Sequence, residues 1–500
     1  MINATNARLK SIRFAIPESA VARHPGTILT VRELRAWSES LPFGNPPRAA
    51  QLLLQQLRLL VRDPDPGSKF SALLDAYDEP TLRLLEIVNE REAAESGFLV
   101  PLDQLEHALR DLLAELAHGR LRMANRLLNA GKAVPADLLY RAFDLLDAAD
   151  DIERLHFGVG GTQHWSQLLA IYLHAADNGI DHTTIAVKQR RQGQPASITG
   201  LFFRSLVISL CDPNRHPPRQ IADWQAWIAR HTDDLEFGIL PQGPFSIPID
   251  ISGELAPLQG ARRGKPGPDT RYLIMGGFLQ RLHDDEDAPK GLYATLSALI
   301  KGRKSSEQRQ SPRQVRQHPF RLVVGLRAVH ERLTSLTAGS TSAVGDGTAI
   351  ACTQINQSKT GAAFAIEQQP SAALGIGDIL LAETDNPKPG GGPIGFVGRI
   401  QRLVSDRTGR VEIGVEKMSG RLIPATLSGA AAERARGDNL ALLQRNGEHG
   451  MVLIAPRNVY REDDSAVAEC ASGRLALRMR ELVDSTPRTV LVEVVEIKSR

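Results

Sequence analysis

The chain has 500 residues and a formal net charge of +3, from 60 basic and 57 acidic side chains. A chain of this length exceeds a single hydrophobic core, so we expect two to four domains. The near balance of charge excludes polyanion binding by bulk charge, and any anion site must therefore be local. Apolar residues make up 42% and aromatic residues only 5%, which predicts globular domains with mainly aliphatic cores.

The cysteines and the apolar runs indicate the compartment. Cys211, Cys352 and Cys470 are far apart and form no C-x-x-C pair, so we expect neither a metal site nor a disulfide framework. Residues 1–20 contain no apolar segment of signal-peptide length. The longest apolar run, 201–210, contains an arginine and is too short to cross a membrane. We therefore expect a cytoplasmic protein without a membrane span.

The hydrophobic periodicity changes along the chain and divides it into segments. Up to about residue 235, leucines recur at i, i+3, i+4 and i+7, which predicts about seven antiparallel helices. Beyond that point, period-two alternation and prolines indicate short strands. The predicted segments are an extended leader (1–45), a helical domain (46–235), a small α/β connector (236–304), an antiparallel β-barrel (305–425) and a C-terminal β extension (426–500).

The predicted fold class is therefore α+β and multidomain. An N-terminal all-α bundle or solenoid precedes an antiparallel β-barrel, and the β extension follows. No repeat near 34 residues is visible, so a tetratricopeptide array is not favoured. The extension either adds strands to the barrel or forms a small second barrel.

A cluster of arginines precedes an apolar stretch that begins near residue 322. Guanidinium groups form paired hydrogen bonds with phosphates and with guanine, and they stack on flat rings. The segment therefore predicts a flexible strap of fixed positive charge, and a solvated linker is the plainer interpretation. The members of the cluster are Arg309, Arg313, Arg316 and Arg321.

Residues 350–366 contain a polar turn between two predicted strands. Asn356, Ser358 and Gly361 form the pattern N-x-S-x-x-G. Asn and Ser side chains bond back to the backbone in tight turns, and Gly supplies a left-handed dihedral. We expect a corner that presents two hydrogen-bonding side chains beside the arginines. An ordinary hairpin turn is the alternative, because such patterns are common.

The order of these motifs over residues 305–425 resembles the PilZ family, small β-barrels that bind the bacterial second messenger cyclic di-GMP. An arginine cluster and a strand precede N-x-S-x-x-G-A, and G-D-I-L-L, F-V-G-R-I-Q-R-L-V and V-E-I-G-V-E follow. By this resemblance, the asparagine–serine–glycine turn matches the family's second motif. Gly377, Asp378 and Gly414 match positions of its later strands.

The family's first motif, R-x-x-x-R, leads almost directly into a strand, and two arginine pairs compete for it. Arg309 and Arg313 have the spacing but lie eight residues before the apolar stretch. Arg316 and Arg321 lie closer but are one residue too far apart. We leave both pairs open.

The resemblance also implies roles for these side chains. The arginines would bind guanine edges and phosphates. Ser358 and Asn356 would bond a guanine or hold the arginines, and Gly361 would let the backbone pass close by. Such a protein would be a receptor that relays ligand binding to a partner protein through the helical domain.

Other functional classes find less support in the sequence. No nucleophile elbow, zincin helix or calcium loop is present, so we predict no catalytic residue, no metal and no enzyme. The main alternative is a degenerate PilZ-like interaction module without a nucleotide ligand. A third reading, nucleic-acid binding, uses nine basic residues at 301–332. It is disfavoured because Phe320 is the one aromatic residue in this segment that could stack on a base.

Overall fold

We describe the protein from a computed structural model that forms two compact units. The first comprises Met1–Glu95, Leu102–Pro213 and Pro218–Glu307, and the second comprises Ser96–Pro101, Asn214–Pro217 and Gln308–Arg500. The residues that the structure describes are 13–92, 98–99, 103–158, 162–186, 195–262, 266–304, 314–338, 349–367, 374–384, 395–406, 408–435, 437–447, 450–486 and 488–497.

The first unit is helical over most of its length, as the leucine periodicity predicted. A two-residue strand, β1 (Phe98–Leu99), interrupts the series in sequence. The helices up to residue 230 are α1 (Val31–Glu39), α2 (Pro46–Val61), α3 (Phe70–Asp75), α4 (Asp78–Glu92), α5 (Gln104–Asn129), α6 (Ala136–Leu155), α7 (Thr162–Asp177), α8 (Ile198–Leu210) and α9 (Pro218–Arg230).

Local caps explain where several of these helices begin. At α5, the Asp103 side chain accepts from the Glu106 amide at 2.9 Å, and the Glu106 carboxylate accepts from the Asp103 amide at 2.8 Å, a reciprocal capping box. Helix α1 lies inside the segment predicted as an extended leader. Thr30 caps it at 3.2 Å and Leu34 is buried, so a short helix of nine residues was overlooked.

A small sheet closes the first unit. Its strands are antiparallel in the order β2-β4-β3, and Ile247 and Leu273 from it share one core with Phe202 and Trp227 of the helices. The elements 236–304 therefore pack on the helical core. They are β2 (Glu236–Gly238), β3 (Ser246–Asp250), α10 (Pro257–Arg262), β4 (Thr270–Ile274), α11 (Gly276–Asp284) and α12 (Leu292–Lys304).

The second unit begins with a closed antiparallel barrel, which confirms the predicted order of helices before a β-barrel. The cyclic order is β10-β11-β7-β6-β5-β9, and β1 pairs with β8 beside it. The elements are β5 (Gln314–Val324), α13 (Leu326–Thr337), β6 (Ala349–Gln357), β7 (Gly361–Ile366), β8 (Leu374–Gly375), β9 (Ile379–Thr384), β10 (Gly395–Ser405) and β11 (Val411–Lys417).

The C-terminal β extension is a second closed barrel, with the cyclic order β12-β13-β14-β17-β16-β15. Its first strand starts at Arg421, before the predicted start of the extension at residue 426. The elements are β12 (Arg421–Ser428), α14 (Ala430–Arg434), β13 (Leu440–Gly447), β14 (Gly450–Pro456), β15 (Ser465–Cys470), β16 (Gly473–Ser485) and β17 (Thr489–Glu496).

The two barrels have the same topology. When the six barrel strands are counted in chain order, each barrel closes as first, second, third, sixth, fifth and fourth. The hairpin between the second and third strands therefore lies at the corresponding end of both. In the first barrel this hairpin carries N-x-S-x-x-G, and in the second it carries R-x-G-x-x-G between Arg445 and Gly450.

Helix α13 joins the two barrels. An apolar cluster combines Val329 of this helix with Leu381 of the first barrel and Leu442 and Ile454 of the second. On the same helix, buried Arg332 donates from Nε to both carboxylate oxygens of Glu383, at 3.0 and 3.2 Å. Desolvation makes such a pair costly to break, so it ties α13 to β9.

Removal of one partner of this pair should destabilise the second unit. We expect Glu383→Leu to cost about 3–5 kcal/mol, because it leaves a buried charge uncompensated. The double variant Arg332→Met/Glu383→Leu should recover at least half of that loss. Hydrogen exchange of the β5 and β9 amides in rising urea measures the effect.

Tryptophan fluorescence supplies the internal control for this experiment. All four tryptophans, at positions 37, 165, 224 and 227, belong to the first unit, and their transition should not shift. A loss below about 1 kcal/mol for the single variant would contradict the role assigned to the pair.

Candidate functional site

The β6–β7 hairpin is closed by hydrogen bonds between Ser358 and Gly361. The Ser358 amide donates to the Gly361 carbonyl at 2.8 Å, and the Gly361 amide donates to the Ser358 hydroxyl oxygen at 3.1 Å. The hydroxyl itself lies 3.4 Å from the Gly361 carbonyl, which is long for O–H donation. The Ser358 hydroxyl therefore stabilises its turn as an acceptor, and its own O–H donates only a weak hydrogen bond.

Two roles were predicted for Gly361, a left-handed dihedral and close approach of the backbone, and the structure contradicts the first. Its backbone is not left-handed, so the dihedral prediction is wrong. A Cβ added there would lie 2.9 Å from the Val415 carbonyl oxygen of β11. The glycine therefore permits close approach of β7 to β11, and the cause is barrel closure.

Asn356 lies on the outer face of the first barrel. Val315 of β5 is directly opposite it, and residues opposite each other in an antiparallel pair share one face of the sheet. The Val315 side chain is 82% exposed. The face that carries Asn356 is thus open to solvent at the hairpin end.

A lysine that the sequence analysis missed lies against the turn. The Lys417 ammonium donates to the Ser358 carbonyl at 3.2 Å and lies 4.8 Å from the centre of the Phe396 ring. The Lys417 amide also donates to the Thr360 carbonyl. In the sequence, Lys417 directly follows the predicted strand V-E-I-G-V-E, but only barrel closure places it here.

The structure describes the backbone of two of the four arginines, Arg316 and Arg321. Arg309 and Arg313 lie outside the described residues. Gln314, which follows Arg313 directly, is the first residue of β5 and pairs with Gln357. The strand therefore begins eight residues earlier than the apolar stretch suggested, directly after the R-x-x-x-R spacing in the sequence.

The second arginine pair is placed differently. Arg316 lies in a bulge of β5, and its side chain is outside the description. Arg321 is opposite Ala351, five residues from Asn356 and so about 17 Å away along the strand. The structure does not bring Arg321 to the hairpin.

Gly377 and Asp378, which the resemblance also singled out, connect the two barrels. A Cβ at Gly377, where φ is +85°, would lie 2.3 Å from Thr486. The buried Asp378 carboxylate accepts from the Gly375 amide at 2.8 Å and from Arg488 at 3.2 Å. Burial raises the pKa of Asp378 to about 6, although Arg488 opposes the shift.

Some general properties of the described residues complete the site. No helix within the described ranges is both long and apolar enough to cross a membrane. In the same ranges, no three His, Cys, Asp or Glu side chains are grouped as metal ligands. The three cysteines are free thiols.

These features define a class of protein in which a helical domain precedes paired six-stranded barrels, the first of which carries a polar hairpin. Residues 32–242 match the family model described as the cyclic-di-GMP receptor FimW, N-terminal domain. The match confirms the expected class, a cyclic di-GMP receptor family. It covers helices α1–α9 and not the barrel whose motif suggested that class. No curated protein matches the chain.

The explanation given for Gly361 predicts unequal effects of two glycine substitutions. Gly361→Ala should destabilise the second unit by about 1–3 kcal/mol, because the added carbon meets a backbone oxygen. Gly414→Ala on β11 is the control, because its nearest neighbour is the Cβ of exposed Arg402 at 3.3 Å. Hydrogen exchange of β7 and β11 in urea compares them, and equal losses would refute the close-approach explanation.

The buried carboxyl of Asp378 predicts a pH dependence. Its pKa is raised from 3.8 to about 6 on folding, so its contribution to stability is complete below pH 3.8 and is lost as the pH rises through 6. Asp378→Asn keeps an acceptor for the Gly375 amide but cannot ionise. Relative to the parent, the variant should gain about 1–3 kcal/mol between pH 4 and pH 7.

Calorimetry tests this pH dependence. The transition of interest is the unfolding of the second unit, which contains Asp378 and no tryptophan. Asp438→Asn is the control, because the Asp438 side chain is 51% exposed in its pair with Arg327. Its pH curve should run parallel to that of the parent. A parallel curve for Asp378→Asn would overturn the assignment.

Proposed function

We propose that the chain is a non-enzymatic cytoplasmic receptor that binds cyclic di-GMP on the outer face of its first barrel. The observation that carries the proposal is the start of β5 at Gln314. Arg309 and Arg313 then have both the spacing and the position of an R-x-x-x-R motif. The strand they enter pairs with the end of β6 that carries Asn356.

The register suggests which face the ligand would occupy. Arg313 is two residues before Val315, and side chains two apart in an extended chain share a face. We propose that the ligand lies on this outer face, beside Val315 and Asn356, and that Arg313 binds it there. Arg309, four residues earlier in the sequence, would bind the same ligand.

The chemistry at this end suits a cyclic dinucleotide. Two guanidinium groups can pair with phosphate oxygens or the O6/N7 edge of guanine, and their planes can stack on the purines. Lys417 adds a positive charge at the turn. The Ser358 hydroxyl lies 3.4 Å from the Gly361 carbonyl oxygen, so it can rotate to donate a hydrogen bond to a ligand at little cost.

Binding must outweigh the ordering of the basic segment. Fixing the backbone costs about 1–2 kcal/mol per residue, whereas each hydrogen bond to a charged group contributes about 1.5–3 kcal/mol. Several such bonds are therefore needed, and the ordering can itself be the switch. We propose that the helical domain passes this change to a protein partner, since that domain matches a receptor family.

A ligand-free interaction module is the second candidate. The observation that favours it is the closed turn, in which the Ser358 hydroxyl already accepts from Gly361. In that case the hairpin has a structural role alone, and the basic segment is a solvated linker. The two candidates differ in whether cyclic di-GMP binds, which a titration with GTP as control decides.

The arginine pair supplies the first test. Arg309→Ala/Arg313→Ala should weaken cyclic di-GMP binding by about a hundredfold or more, because two charge-assisted contacts are lost. Arg321→Ala is the matched control and should bind like the parent, because Arg321 is remote from the hairpin. Isothermal titration measures both. Equal binding by all variants would leave the segment as a linker.

Ser358 supplies the second test. Ser358→Ala should weaken binding about tenfold, equivalent to about 1.4 kcal/mol, if the hydroxyl contacts the ligand. Excess cyclic di-GMP should also raise the melting temperature of the parent by mass action. Thermal unfolding of both proteins with and without ligand shows this. No ligand-dependent shift in the parent would reject the receptor and favour the interaction module.

A further inference from the structure

Two arginines face each other at one end of the second barrel. Arg421 of β12 is directly opposite Arg445 of β13 in the register. On the same two strands, Ile423 is opposite Leu443 and Ala425 is opposite Ala441, and these residues belong to the barrel core or pack on it. Because side chains alternate along a strand, both arginines continue the inner face of the barrel at its mouth.

This arrangement is unfavourable for the barrel alone. Like charges directly opposite each other in an antiparallel pair are destabilising. Within the described residues, neither Arg421 nor Arg445 is ion-paired, and the buried Nε of Arg445 has no hydrogen-bond partner. A guanidinium nitrogen buried without an acceptor is costly. Arg421 is exposed and Arg445 is half-buried, so an anion from solvent can reach both guanidinium groups.

Contacts within the barrel fix the backbone that carries Arg421. The buried Gln444 side chain donates to the Ser419 carbonyl at 2.5 Å, and Gly420 takes a positive φ of +80°. These contacts fix the turn that leads into Arg421. Cys470 and Met451 pack against the core of the second barrel. Burial raises the pKa of the Cys470 thiol, and the positive charge of Arg445 opposes that rise. The backbone at this end of the barrel is thus fixed by the barrel's own contacts.

We propose that this mouth binds the terminal phosphate group of a small molecule between Arg421 and Arg445. Two guanidinium groups on one side suit a compact dianion, because each can donate to it in bidentate fashion. The interior of a six-stranded barrel is filled by side chains, so only a small anionic group enters. A polyanion such as RNA does not fit the mouth.

The site is separate from the one proposed in the first barrel. Both lie at the end marked by the hairpin between the second and third strands, since the barrels share one strand order. In the first barrel the polar residues lie on the outer face. In the second barrel, Arg445 stands at the position of Asn356 relative to the turn glycine, but on the inner face. Either site can therefore fail without the other.

Titration of the full chain with inorganic pyrophosphate at low ionic strength tests the proposal. We expect binding by the parent and at least tenfold weaker binding by Arg421→Gln and by Arg445→Gln. Arg457→Gln is the matched control, because exposed Arg457 follows β14 at the opposite end of the barrel. It should bind within twofold of the parent.

Two further measurements keep the test decisive. GMP, which has a terminal phosphate, should compete with pyrophosphate, and cyclic di-GMP, which has none, should not. Without ligand, Arg421→Gln should melt at a higher temperature than the parent because the repulsion is relieved, so loss of fold cannot explain its weaker binding. No binding by the parent, or equal affinities for the Arg421, Arg445 and Arg457 variants, would overturn the proposal.

Discussion

The pairing of β5 with β6 is the constraint on which the proposed ligand end depends. Strand β9 pairs with β5 from Phe320 onward, so within the described residues the first six residues of β5 pair with β6 alone. This extension brings the chain that follows Arg313 alongside the N-x-S-x-x-G hairpin. Without it, the basic segment would end at the apolar core, far from Asn356.

The same strand leads into the interface between the barrels. One residue, Gly325, separates β5 from α13, and its amide donates to the Ile379 carbonyl of β9 at 2.8 Å. Helix α13 then packs on the second barrel through Val329 and its neighbours. Gly325 and the buried Arg332–Glu383 pair thus link the last residues of β5 and β9 to the helix that packs on the second barrel.

The two barrels show how little a fold determines about a site. They share one strand order, and the same turn ends in glycine in each, at Gly361 and Gly450. The residues before these glycines differ, with Asn356 and Ser358 in one barrel and Arg445 and Gly447 in the other. The first arrangement offers neutral hydrogen-bonding groups beside a basic segment, and the second offers a pair of fixed charges.

The sequence alone determined the features that depend on neighbours a few residues apart. Period-3.6 leucines predicted the helices, period-two alternation predicted the barrel strands, and the polar turn was visible as N-x-S-x-x-G. The receptor class also followed from motifs, and the match to the helical region agrees with it. Local patterns carry this information because helix and strand periodicity are set by the backbone itself.

Tertiary structure decided whatever depends on long-range pairing. The segment Q-V-R-Q-H-P is not apolar, yet it is a strand because β6 supplies its partners. Barrel closure alone places Lys417 on Ser358 and a carbonyl against Gly361. Register alone sets Arg421 opposite Arg445. These contacts join residues 24 to 59 positions apart, and strand pairing over such separations leaves no periodic trace in either segment.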